Sequence, residues 1–155
     1  MSDVVILGAA DAQRAADLHS KAFLESDVWT AKAFQSLLEQ DSSLGLAHQV
    51  DGKLLSLALF RIAAETGDLL TFAVTPSKRR QGYAKALLSA SRPLLASRHV
   101  TRITLEVASN NAAAVNFYQT MGFVEDGWRV NYYKQSDGNH RDAILMSRGL
   151  SAAPA

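Results

Sequence analysis

Leu69-Leu70-Thr71-Phe72-Ala73-Val74-Thr75-Pro76-Ser77-Lys78-Arg79-Arg80-Gln81-Gly82-Tyr83-Ala84-Lys85 is the stretch on which the reading of this chain turns. Leu69 to Val74 is a nearly continuous apolar run, suited to a strand buried on both faces. Thr75-Pro76 then turns the chain. Beyond Gly82, apolar residues recur at helical spacing at Ala84, Leu87, Leu88 and Leu95. A strand, a basic glycine-bearing loop and a helix N-terminus therefore follow in order. The N-terminus of a helix carries unpaired N–H groups and partial positive charge. Gly82 lets a bulky anion approach the backbone, and Arg79 and Arg80 add full charges beside it. The arrangement reads as a pyrophosphate cradle; the plain alternative is a solvated basic loop capping a helix. The chain has neither a Gly-x-x-x-x-Gly-Lys-Ser/Thr loop nor a Gly-x-Gly-x-x-Gly turn.

Working upstream, Val4 to Leu7 is a short strand candidate, and Asp11 to Phe23 has helical spacing. Asp27 to Trp29 reads as a loop. Thr30 caps a second helix to about Gln40. Asp51-Gly52 separates strand-like runs at Leu44 to Val50 and Lys53 to Ile62, a hairpin signal. Downstream, Pro93 is expected to bend or end the helix that starts near Gly82. Arg102 to Val107 alternates, with Ile103, Leu105 and Val107 on one face and Arg102, Thr104 and Glu106 on the other. Asn110 or Asn111 caps a helix from Ala112 to Met121, and Gly122 stops it. Phe123 to Glu125, Val130 to Tyr133 and Ala143 to Met146 are further strand candidates, with a polar loop between Lys134 and Arg141. The order β-α-α-β-β-β-α-β-α-β-β describes one mixed α/β domain over residues 1–150, and residues 151–155 read as a disordered tail.

A chain of 155 residues, 48% hydrophobic and 20% charged, is an ordinary globular composition. The net charge of +1 gives no overall attraction to nucleic acid, although a local basic patch stays open. There are no cysteines, which excludes disulfides, thiolate metal sites and a cysteine acyl intermediate. That suits a cytoplasmic location. The N-terminus lacks the basic and apolar regions of a signal peptide, and no run approaches the ~20 apolar residues of a membrane span. His19, His48, His99 and His140 have no metal-ligand spacing and read as surface or loop residues, so no metal is expected.

Glu106 is a carboxylate on the polar face of an otherwise apolar strand, and Tyr118 follows on the next helix. If both face one cleft they offer a proton acceptor and a proton donor. Taken singly, Glu106 reads as a solvated residue, Tyr118 as core edge and Asn111 as a helix cap.

The run from Leu69 to Met146 resembles the GNAT superfamily of acyl-CoA-dependent N-acetyltransferases. Within it, the chain is similar to the bacterial ribosomal-protein-alanine N-acetyltransferases. Four blocks carry this: Phe72 to Pro76 with Arg79 to Ala84; Leu105-Glu106-Val107 with Ser109 to Ala114; Phe117-Tyr118 with Met121-Gly122-Phe123; and Arg129 to Tyr133 with Asp142-Ala143-Ile144 and Met146. Trp29-Thr30 followed by Phe34 matches a further segment of the narrower group. The resemblance implies a single-domain α/β fold with a mostly antiparallel sheet of about seven strands and four helices. It implies that Phe72, Ala73 and Val74 pair with the pantetheine arm of acetyl-CoA. Arg80, Gln81, Gly82, Tyr83, Ala84 and Lys85 would hold the pyrophosphate, and Asn111 would contact the cofactor arm. Glu106 matches the general base, and Tyr118 the general acid that protonates the departing sulfur. Trp29, Tyr132, Tyr133 and Asp142 are then candidates for substrate contact. The two tyrosines also read as a strand pair packed on a neighbouring helix, and Asp142 as a partner of Arg129 or Arg141. Ala84 replaces a common second glycine, and Asp27-Val28 stand where a proline usually precedes the tryptophan.

The implied reaction is direct transfer, with a backbone N–H near Val74 at the oxyanion. The implied acceptor is a protein N-terminal α-amine, the N-terminal alanine of a small-subunit ribosomal protein, with no direct part for nucleic acid or membrane. Other N-termini, a lysine side chain or a small amine keep the same chemistry, and an acyl-CoA-binding module without catalysis is the non-enzymatic alternative.

Overall fold

The computed structural model describes residues 3–23, 28–134 and 140–150. Its elements in chain order are β1 (Asp3–Leu7), α1 (Ala12–Ala22), α2 (Ala31–Leu38), β2 (Ser43–Val50), β3 (Lys53–Ala63), β4 (Thr66–Val74), α3 (Tyr83–Ser97), β5 (Arg102–Ala108), α4 (Ala112–Thr120), β6 (Val124–Lys134) and β7 (His140–Gly149). Seven strands form one sheet in the order β1-β2-β3-β4-β5-β7-β6. The expected α/β architecture is present, with four α-helices among the described residues.

Every neighbouring pair is antiparallel except β4 with β5. A parallel pair needs a long crossover, and α3 supplies it. Their register runs only from Thr66 opposite Arg102 to Leu69 opposite Leu105. Beyond that point β4 stays with β3 as far as Val74 opposite Ser56, and β5 stays with β7 as far as Ala108 opposite Ala143. The two strands therefore part, leaving a wedge in the middle of the sheet. A bulge lies where they separate, because Leu59 opposes Thr71 and Phe60 opposes Leu69, leaving Leu70 as the extra residue. A bulge bends its strand, and this one turns β4 away from β5.

Alternation along the strands sends side chains to opposite faces. Ala58 and Phe60 join Leu87, Leu88 and Leu95 of α3 with Ile103, Leu105 and Val107 in one cluster. Leu57 and Leu59 join Ala15 and Leu18 of α1 and Phe34 of α2 in the other. Phe117 and Tyr118 of α4 pack against the α3 side. The β2–β3 turn has Asp51 at φ 49° and Gly52 at φ 78°, the two left-handed residues of a tight hairpin. Thr30 caps α2, its side chain accepting the Ala33 N–H at 3.1 Å.

Several expectations are corrected. Of the bend or end expected at Pro93, the end does not occur: the helix continues to Ser97. Pro93 is on the exposed side, while buried Ser91 and Leu95 hold the following turn against the core, and that packing outweighs the missing N–H. β4 is not buried on both faces: Leu69, Thr71 and Ala73 are buried, whereas Leu70, Phe72 and Val74 are half-buried. The parting of β4 and β5 exposes the latter set. The separate candidates Phe123 to Glu125 and Val130 to Tyr133 merge into β6, which absorbs the polar residues between them through two register shifts. Of the loop expected between Lys134 and Arg141, His140 instead begins β7; residues 135–139, the rest of that expected loop, lie outside the described residues, as do Asp27 and the 151–155 tail. His19 and His48 are buried, at 1% and 4% exposure, not surface residues. Among the described residues, no helix is long and apolar enough to cross a membrane.

Candidate active site

The wedge between β4 and β5 is a cavity of about 510 Å³. Glu106, Asn111, Tyr118, Phe72, Trp29 and Tyr133 all line it. The sheet topology thus brings together residues separated by as much as 104 positions in the chain. Glu106 comes from the polar face of β5 with its side chain 28% exposed. Tyr118 comes from α4, whose start is fixed by Asn111: its side chain accepts the Ala114 N–H at 3.2 Å. Asn111 is therefore both helix cap and cavity wall.

Tyr118 stacks edge-on against Phe117 and Phe123, with centroids 5.4 and 5.6 Å away. Burial, with a contribution from Tyr133, pushes its phenol up to about 12. Such a group keeps its proton throughout the working range of an enzyme. Its hydroxyl forms no hydrogen bond among the described residues, so it is available as a donor to a group in the cavity.

His19 was missed in the sequence. Its Nδ1 accepts the Trp29 N–H at 3.1 Å, which leaves Nε2 to carry the proton of the neutral ring and to donate to Thr71 Oγ1 at 2.9 Å. The imidazole also stacks on Phe23 at 4.2 Å and meets Phe34 edge-on. It joins α1, the segment preceding α2, and β4 at the cavity wall. The signal was present: His19 falls at helical spacing from Ala15, Ala16 and Ala22, on the apolar face of α1.

A second cavity, about 410 Å³, lies at the other end of β4 against the start of α3, between Val74, Arg80, Gly82, Lys85 and Phe117. Arg80 at φ 62° and Gly82 at φ 84° are both left-handed. Left-handed residues on either side of Gln81 are backbone of the kind that can build an anion nest, and they stand at a helix N-terminus where the first N–H groups are unpaired. A Cβ on Gly82 would meet nothing within 4 Å, leaving open space for a ligand. The Gln81 side chain donates to the Ser77 carbonyl at 3.1 Å and closes the loop, while Arg79 donates to the Ala22 carbonyl at 3.0 Å and so is occupied at the end of α1. Phe72 on the first cavity and Phe117 on the second have ring centroids 6.1 Å apart. Along the way, residues 70–74 have no β5 partner, which leaves backbone donors and acceptors on that edge for an amide-bearing chain.

Of the candidates for substrate contact, Trp29 and Tyr133 line the cavity, whereas Tyr132 and Asp142 do not. Tyr132 is half exposed and meets Tyr133 edge-on at 5.1 Å. The Asp142 carboxylate accepts the Asn131 N–H at 2.8 Å and secures the bulge in β6. Arg129 pairs with Glu106 at 3.3 Å, not with Asp142. No cluster of potential metal ligands occurs among the described residues.

A profile of the Acetyltransferase (GNAT) family matches residues 12–123. The chain is 35% identical over 123 residues to the [Ribosomal protein bS18]-alanine N-acetyltransferase of Escherichia coli strain K12, covering 79% of this chain and 82% of that one. It is 31% identical to the N-alpha-acetyltransferase RimI of Mycobacterium tuberculosis, covering 95% and 94%. The crystal structure of the ribosomal-protein-S18-alanine N-acetyltransferase from Escherichia coli superposes with a TM-score of 0.88 at 32% identity, covering 99% of this chain and 97% of that one.

Proposed function

This chain belongs to the GNAT acetyltransferase family and is an N-acetyltransferase, and from that premise we propose that it uses acetyl-CoA to acetylate a protein N-terminal α-amine. The best-supported acceptor is the N-terminal alanine of a small-subunit ribosomal protein, because one relative above 30% identity is named an N-alpha-acetyltransferase and another a ribosomal protein bS18-alanine N-acetyltransferase. The observation that carries the reading is that a carboxylate and a protonated phenol, Glu106 and Tyr118, line one cavity at the parting of β4 and β5.

Acetyl-CoA supplies the activated acyl group. Arg80, Gln81, Gly82, Tyr83, Ala84 and Lys85 would hold its pyrophosphate, chiefly through N–H groups of the nest and the first turn of α3. Phe72, Ala73 and Val74 would bind its amide-bearing arm along the free β4 edge, with Asn111 beside it. An α-amine has a pKa near ~8 and is largely protonated at neutral pH. Glu106 takes that proton, directly or through a water, and frees the lone pair for attack. Backbone N–H groups on the unpaired edge of β4 are suited to the developing oxyanion. As the carbon–sulfur bond breaks, Tyr118 gives its proton to the sulfur; the nitrogen, made cationic by the attack, loses its further proton to solvent as the amide forms, and solvent reprotonates Tyr118 and takes the proton from Glu106. Trp29 and Tyr133 wall the acceptor side.

Thiol release with acetyl-CoA and short peptides tests the reading, with mass spectrometry locating the acetyl group. Release with an alanine-first peptide supports it. Release only with lysine peptides or small amines would transfer the chemistry to another acceptor, and tight binding without release would leave an acyl-CoA-binding module.

A further inference from the structure

Glu106 lines two cavities. One is the wedge described above. The other is a trench of about 460 Å³ on the polar face of β5, lined by Asp68, Arg102, Thr104, Asp126 and Arg129. A carboxylate at such a junction can rotate toward either space, yet proton abstraction requires that it face the acceptor amine. Arg129 lines the trench alone, and its guanidinium reaches Glu106 Oε1 at 3.3 Å. Of the other charged groups of the trench, Arg102 is engaged with Asp126 at 3.1 Å and Asp68 with the Thr104 hydroxyl at 2.9 Å, and Arg61 lines the trench without an ion pair to Glu106 among the described residues.

Arg129 is itself held in place. Its guanidinium lies over the Tyr132 ring, 4.9 Å from the centroid. Tyr132 sits in the β6 bulge between Arg129 and Tyr133, where Asn131 adopts φ 56° and its N–H is bound by Asp142. Both members of the Arg129–Glu106 pair are partly exposed, at 52% and 28%, and exposed pairs contribute little to fold stability. The pair therefore has a geometric rather than a structural consequence.

We propose that Arg129, seated on Tyr132, is the positioning residue of the general base, holding the Glu106 carboxylate where the two cavities meet so that one oxygen faces the acceptor amine. This rests on Glu106 acting as base. It also gives a role to Tyr132, whose ring does not line the acceptor cavity, and to Asp142, which secures the bulge carrying both residues.

The test is steady-state kinetics with acetyl-CoA and an alanine-first peptide. Arg129→Gln is expected to lower kcat by about 10-fold or more, since small misplacement of a reacting group is costly, with the KM for acetyl-CoA unchanged. Arg129→Lys, which keeps the charge, should recover most of the loss. Tyr132→Ala should follow Arg129→Gln, and Tyr132→Phe, which keeps the ring face, should stay near wild type. Because Arg129 acts through Glu106, Arg129→Gln should cost nothing further in a Glu106→Gln background. Wild-type kcat in Arg129→Gln, or a full additional loss in the Glu106→Gln background, would overturn the proposal. If Glu106→Gln itself had wild-type turnover, the general-base reading would fall instead, and the two failures are thus distinguishable.

Discussion

Replacing Tyr118 by Phe separates the proposed proton-donor role from the packing role of one side chain. The ring contacts with Phe117 and Phe123 survive the change, and the hydroxyl removed has no protein partner among the described residues, so stability at neutral pH should change little. At alkaline pH the two proteins should diverge. The phenol ionises near 10.0 in the unfolded chain and at about 12 in the folded one. Between those values unfolding releases a proton, so rising pH favours the unfolded state. The stabilisation is fully present below pH ~10 and is lost as pH rises through ~12. Over that window it corresponds to about 1.4 kcal/mol per pH unit, about 3 kcal/mol in all. Chemical denaturation at stepped pH should therefore show wild type losing this much more stability than Tyr118→Phe. In parallel, kcat should drop by ~10²-fold or more in the variant, the usual scale for a general acid. Parallel alkaline stability curves would refute the buried-phenol argument, and an undiminished kcat would assign sulfur protonation to water.

Glu106→Gln should lower turnover by ~10²-fold or more with acetyl-CoA binding nearly unchanged, measured by steady-state kinetics and calorimetry. Gly82→Ala should cost roughly 1–2 kcal/mol from the left-handed backbone alone, since its Cβ meets nothing. A thermal melt reads the cost, and a raised KM for acetyl-CoA at near-normal kcat would accompany it. His19→Ala leaves the Trp29 N–H and the Thr71 hydroxyl without their partner and opens a void under Phe34. The expected loss is about 2 kcal/mol or more, with a higher KM for peptide than for acetyl-CoA. Equal effects on both substrates would mean that His19 supports the fold generally rather than the acceptor side.

The strand, loop and helix from Leu69 through Leu95 were legible because each signal is local. An apolar run, a turn proline and a glycine that can sit left-handed act within a few residues of one another. The caps at Thr30 and Asn111 and the Asp51-Gly52 turn were legible for the same reason. The acetyltransferase family was legible in the blocks around Arg79 to Ala84, Glu106 and Tyr118, because each block is a short run of side chains whose order the sequence shows directly. Pro93 misled as a helix end because its local effect on a helix is opposed by core contacts that are distant in sequence. His19 looked like a surface residue because a polar ring on an apolar helix face becomes a bridge only when β4 and the segment before α2 close around it.

What the amino-acid order determined by itself was the succession of elements and the inventory of reactive groups, since backbone preferences, turns and side-chain periodicity act over short distances. The tertiary structure alone decided where those groups meet. The parting of β4 from β5 after Leu69 opposite Leu105, the closure of His19 onto Thr71 and the reach of Arg129 to Glu106 join residues far apart in the chain. Such contacts are set by strand order, register and packing, which arise when the whole sheet assembles and have no expression in any single segment.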